Sequence, residues 1–264
     1  MASILDRYGI KEVADVTFYK ISDGSNGIAA GEPAEPVLYL DTLKVSTTEQ
    51  TAENTSARGG KGNPELIIWD YGKEITVTLE DALFSAKSMA VMFGDGERNL
   101  IEGSASETIK KTWRISESEA KASSAPTQLL YGGKTINLPS NQSGVSYYDA
   151  KGAKLDSWGA SVAFLTFDIP VEDKITIDIS AETFPGTYYV TGDTYARSET
   201  TGEDEFFQFI IPKAKVMSEV TLTMEAEGDP STFSMNLRVL RPSDGKMMKL
   251  VKYNIADADT LSVG

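Results

Sequence analysis

Ser218–Leu240 reads SEVTLTMEAEGDPSTFSMNLRVL, and the alternation within it decides the fold class. Val220, Leu222, Met224 and Ala226 alternate with Thr221, Thr223, Glu225 and Glu227. Past the cluster Gly228-Asp229-Pro230-Ser231, Phe233, Met235, Leu237 and Val239 alternate with Ser234, Asn236 and Arg238. Period-two patterning on both sides of a turn cluster specifies a β-hairpin. One face is apolar and the other is a ladder of Thr, Glu, Ser and Asn, as expected of an antiparallel ribbon that is wet on one side. Two readings fit it: an outer hairpin of a β-sandwich, or a ribbon whose polar face lines a shared aqueous channel.

The same pattern recurs far upstream. In Leu66–Glu80, LIIWDYGKEITVTLE, the residues Ile75, Val77 and Leu79 alternate with Glu74, Thr76, Thr78 and Glu80. Two separated ribbons with matching polar faces predict one continuous sheet with a polar side. Val13–Ile21 is a further strand, followed by the Gly/Ser/Ala/Pro-rich loop Ser22–Pro36. A second strand opens at Val37 and runs through Leu43-Lys44-Val45 to Glu49. The segment Gln50–Pro64 contains Arg58-Gly59-Gly60-Lys61-Gly62, a basic, Gly-rich stretch in an acidic chain. It lacks the G-x-x-x-x-G-K-[ST] spacing and the strand-then-helix context of a phosphate cradle. It reads instead as a flexible loop, or as a loop that orders against a neighbouring subunit. At Asp81–Phe93 the period switches to helical, with Leu83, Ala86, Ala90 and Phe93 on one side. Asp81 or Ser85 serves as cap and Gly94 as stop, and Met89 and Met92 are expected to pack in the core.

Residues 95–160 are less regular. Short strands are expected at Ile109–Ile115, Gln128–Tyr131 and Thr135–Leu138, with Trp113 and Trp158 as buried anchors. Clearer strands follow at Val162–Ile169, Lys174–Ser180, Thr187–Thr191 and Glu205–Ile211, the last leading through Pro212 into Lys213–Met217. The resulting organisation is an N-terminal core part (1–94, with the loop 50–64 and a helix over 81–93), an insertion or subdomain (95–160), and a C-terminal core part (161–264).

Composition narrows the chemistry. The chain has 264 residues with no Cys and no His, which rules out thiolate nucleophiles, disulfides, zinc sites with Cys or His ligands, and Ser-His-Asp triads. No paired-carboxylate motif stands out among its 39 acidic residues, so no catalytic, cofactor-binding or metal-binding residue is assigned and no enzyme is expected. The net charge of −14 is dispersed along the chain, unlike the clustered Lys and Arg of a nucleic-acid-binding surface. No apolar run approaches the roughly 20 residues that span a bilayer, so no membrane partner is expected. Met1–Ile10 carries no secretory pattern, which points to synthesis in a cytoplasm.

The order strand, Gly-rich loop, strand, single helix over 37–93, with the closing run EFFQFIIPKAKVMSEVTLTMEAEGDPSTFSMNLRVL of 205–240, resembles the major tail tube proteins of long-tailed bacteriophages. The resemblance implies a mainly β fold: a β-sandwich or barrel with one flanking helix, whose long hairpins join an inter-subunit β-barrel in a hexameric ring. Stacked rings would form the conduit for DNA ejection. Partners would be further copies of the chain and other tail proteins (tape measure, terminator, baseplate), with DNA passing unbound. The location would be the virion tail. Glu74, Thr76, Thr78, Glu80, Thr221, Thr223, Glu225 and Glu227 would face the lumen, where six copies of each Glu repel a polyanion. Arg238 lies on the same face and is offset by a Glu on a neighbouring strand. Arg58, Gly59, Gly60, Lys61 and Gly62 would form the inter-ring loop. Two other classes remain. One is a different virion β-sandwich, such as a capsid decoration or baseplate protein. The other is a carbohydrate-binding module that stacks sugars on Tyr147-Tyr148 and Tyr188-Tyr189.

Overall fold

The computed structural model describes residues 7–10, 12–103, 108–138, 144–171, 173–220 and 232–254. The chain is mainly β, in antiparallel sheets. It divides into two units, residues 1–101 with 177–264, and residues 102–176. The front of the chain holds β1 (Tyr8–Ile10), β2 (Asp15–Ile21), β3 (Pro33–Leu40), β4 (Leu43–Arg58), β5 (Glu65–Asp81), α1 (Ala86–Phe93) and β6 (Leu100–Glu102). The middle holds β7 (Thr108–Arg114), α2 (Glu117–Ala120), β8 (Gln128–Tyr131), β9 (Lys134–Asn137), β10 (Ser146–Tyr148), β11 (Lys154–Leu155) and β12 (Phe164–Pro170). The chain closes with β13 (Ile175–Ile177), β14 (Thr187–Ser198), β15 (Asp204–Val216), β16 (Phe233–Val239) and β17 (Lys249–Tyr253).

The first unit is built on one sheet in the order β3-β2-β14-β15-β16-β5-β4, with β1 on β14 and β17 on β15. The first and last strands of this order, β3 and β4, are joined only by Asp41 and Thr42. The sheet must therefore curl until its two edges meet at that corner, although it forms no closed barrel. Asp81 fastens the corner: its carboxylate accepts from the Thr42 hydroxyl and from the Leu83 amide. It does not cap the helix. Inside the curl, Val16, Phe18, Leu38, Leu79, Val190, Ile211 and Leu237 form the apolar core. The prolines sit where a missing N–H costs least. Pro33 and Pro36 lie on the terminal strand β3, and Pro212 lies at the register slip between β14 and β15.

Helix α1 is capped by Ser85, whose hydroxyl accepts from the Ser88 amide at 3.0 Å, and it ends at Gly94. Its buried face matches the expected one at Ala90 and Met92 and differs elsewhere. Ser88, Ala90, Val91 and Met92 point inward, whereas Leu83 and Phe84 precede the helix and are exposed. Phe84 rests on Phe233 with ring centroids 4.5 Å apart. Asn99 secures the helix end by donating to the Ala90 carbonyl at 2.7 Å.

The second unit has its own core, with Ile115, Leu129, Tyr147, Leu165 and Phe167 buried and Trp113 and Trp158 packed against them. A four-stranded sheet, β11-β10-β12-β7, and the hairpin β8-β9 surround that core. Strand β12 belongs here through its pairing with β7 and β10, whereas the sequence reading placed residues 161–176 in the C-terminal part of the main core.

Candidate assembly surface

The expected loop at 50–64 is mostly strand. β4 continues to Arg58 and pairs with β5 as far as Glu65, giving one long hairpin whose turn is only residues 59–64. Backbone bonds close the turn, from Gly59 N–H to the Pro64 carbonyl and from Asn63 N–H to the Gly60 carbonyl, both at 3.1 Å. Gly60 and Gly62 have φ of 86° and 85°, in the left-handed region that glycine enters without steric cost. Lys61 is exposed between them, and Arg58 pairs with Glu65 at 3.4 Å. Residues 51–58, TAENTSAR, look loop-like because none is large and apolar. A two-stranded ribbon exposed on both faces has no apolar alternation to display.

Toward its base the hairpin merges with the curled sheet, and the expected alternation is present. Ile75, Val77 and Leu79 are buried while Thr76, Thr78 and Glu80 are half-buried and Glu74 is exposed. β16 lies alongside with Phe233, Met235, Leu237 and Val239 buried. Register places Ser234, Asn236 and Arg238 opposite Glu80, Thr78 and Thr76. On the other edge, Thr47, Glu49 and Thr51 of β4 stand opposite Thr78, Thr76 and Glu74. The three strands thus share one polar face. Thr78 donates its hydroxyl to the Asn236 side-chain oxygen at 3.0 Å, and Arg238 donates to the Glu74 carboxylate.

Val239, Arg238 and Leu237 of β16 pair with Ala214, Lys215 and Val216 of β15. The expected hairpin partner of β16, residues 218–227, lies largely outside the described residues. Thr221, Thr223, Glu225 and Glu227 lie outside the described residues.

Beyond Gly72 the hairpin becomes a free arm. Gly72 has φ of 62°, and the register slips there between Thr51 opposite Glu74 and Glu53 opposite Tyr71. An extra residue on one strand reverses side-chain parity. The polar face of β5 therefore continues outward as Tyr71, Trp69 and Ile67, while Leu66 and Ile68 continue the core face. Leu66, Ile67, Ile68, Trp69 and Tyr71 are each 51–63% exposed. This patch was missed in the sequence. The run LIIWDY is conspicuously apolar, but such a run ordinarily marks a buried strand.

The aromatic pairs do not form a sugar-stacking surface. Tyr147, Tyr188 and Tyr189 are buried, and Tyr148 stacks on Phe164 at 5.2 Å. Burial pushes the Tyr188 hydroxyl up to about 12, and it donates to the Asp95 carbonyl at 2.9 Å.

The first unit is thus a curled antiparallel sheet with a polar strip, prolonged into an arm with exposed apolar side chains. The chain belongs to the YomU/Tube protein family, which it matches over residues 8–97 and 133–252. No curated protein matches it.

Proposed function

We propose that the chain is a tail tube subunit of a long-tailed phage, polymerising into stacked six-fold rings around a channel for DNA. Membership of a family named for a tube supports a structural, tube-forming role. The observation that carries the reading is the juxtaposition of a three-stranded polar face with an arm that exposes five large apolar side chains. Fully burying each such side chain yields about 1.5–3 kcal/mol, and association of two proteins costs about 4–15 kcal/mol. One arm contact is therefore marginal, and stable assembly requires repeated contacts, as a ring provides. In that ring Glu74, Thr76, Thr78 and Glu80 face the lumen. The carboxylates keep a polyanion from adhering, and the Glu74–Arg238 pair tempers the one cation on this strip. The tip Arg58–Gly62 meets the next ring. Other tail proteins close the tube at its ends.

Electron microscopy of the concentrated protein tests this reading. Hollow filaments of uniform width are expected. Folded monomers at every concentration would contradict it.

A further inference from the structure

A groove opens in the first unit where β17 fails to reach the base of the hairpin. β15 pairs with β17 over Phe206–Ile210 and with β16 over Ala214–Val216, and only β16 goes on to pair with β5. A cavity of about 540 Å³ fills the gap, lined by Val45, Ile75, Val77, Phe209, Met248 and Leu250 among others. Its rim is apolar and open to solvent: Leu250 is 65% exposed, Ile10 57% and Val45 41%.

Among its described residues the first unit thus carries an open apolar groove and an exposed apolar arm. They cannot meet within one chain. Ile75 lines the groove, and Trp69 lies farther out on the same continuous ribbon, roughly 15–20 Å away at 3.3 Å per residue. A knob and a pocket at separate places on one molecule form a head-to-tail contact, which generates rings or filaments. Glu53 stands opposite Tyr71 on the arm face, and the groove lining offers it one cation, Lys44, beside the single lining carboxylate Glu12.

We infer that the arm of one copy seats Ile67, Trp69 and Tyr71 in the groove of a second copy, with Glu53 near Lys44. This rests on the reading of the chain as a self-assembling subunit and specifies its contact.

The absence of native cysteine gives a clean test by mixing two variants, Trp69→Cys and Leu250→Cys, under mild oxidation. A disulfide-linked dimer of unlike copies is expected, with far less linkage in either variant alone. Charge exchange supplies a second readout that keeps Trp69. Glu53→Lys should reduce assembly several-fold, and a copy carrying both Glu53→Lys and Lys44→Glu should recover it. Hollow filaments with no unlike-copy linkage and no charge rescue overturn the docking but leave the tube reading intact. Linked, rescued oligomers that never form hollow filaments support the docking and overturn the tube reading. Monomers throughout overturn both.

Discussion

Gly192 shows how a single position sets the packing of the curled sheet. It lies opposite Phe209 on β15, and a Cβ there would sit 2.1 Å from the Phe209 ring. The ring occupies the space a side chain would need, so Gly192→Ala should destabilise the first unit by about 1–3 kcal/mol, as overpacked cores do. Chemical denaturation would measure this, and an unchanged midpoint would refute the account of that contact. Tyr188 makes a pH-dependent contribution. Its folded value of about 12 lies above the ordinary 10, because burial favours the neutral hydroxyl. The stabilisation is therefore complete below about pH 10 and is lost as pH rises from about 10 to about 12. Tyr188→Phe should remove that alkaline step while costing about 1 kcal/mol at neutral pH for the hydrogen bond to Asp95. An identical alkaline profile in the two proteins would contradict the assignment.

At the scale of elements the arm dominates. Trp69→Asp replaces an exposed side chain, so the melting temperature should change little while filament formation fails. Loss of the fold would show that Trp69 is a core residue instead. The strands that face the core were legible in the sequence because burial on one side imposes alternation, as in Ile75-Val77-Leu79 and Met235-Leu237-Val239. The arm was not legible. Neither of its faces is buried in the monomer, so β4 beyond Gln50 shows no period, and the Gly72 bulge breaks the parity that would have linked LIIWDY to ITVTLE. The pairing of β16 with β15 and β5 was not legible, because alternation says which face is buried, not which neighbour lies alongside. The helix was found, with Ala90 and Met92 inward as expected, but Leu83 was misplaced. Eight residues, Ala86–Phe93, offer too few turns to separate Leu83 and Phe93 from Val91. A Glu partner for Arg238 was anticipated from charge balance, but that it is Glu74 was not, since the facing strands lie far apart in sequence.

For the whole molecule, the second unit has a separate core. The amide of Gly103 donates to the carbonyl of Lys174 at 2.7 Å, so the chain enters and leaves this unit at adjacent points. Excising residues 104–173 and joining the ends by a short glycine linker should leave the first unit folded with a single cooperative transition. A molten product would show that the first unit depends on the second. The channel assignment makes an electrostatic prediction of its own. Glu74→Lys with Glu80→Lys should cost little stability, since exposed ion pairs contribute about 0–1 kcal/mol. Lining the lumen with cations should slow DNA ejection, with relief at high salt. Normal ejection through intact mutant tubes would remove these residues from the lumen.

The central claim, that the polar strip shared by β4, β5 and β16 lines a conduit, is tested most directly by a cryo-electron microscopy map of the assembled protein. The account predicts a hollow tube with Glu74, Thr76, Thr78 and Glu80 on its inner wall and Trp69 covered by a neighbouring copy. A solid filament, or a tube with this strip on its outer wall, would contradict it.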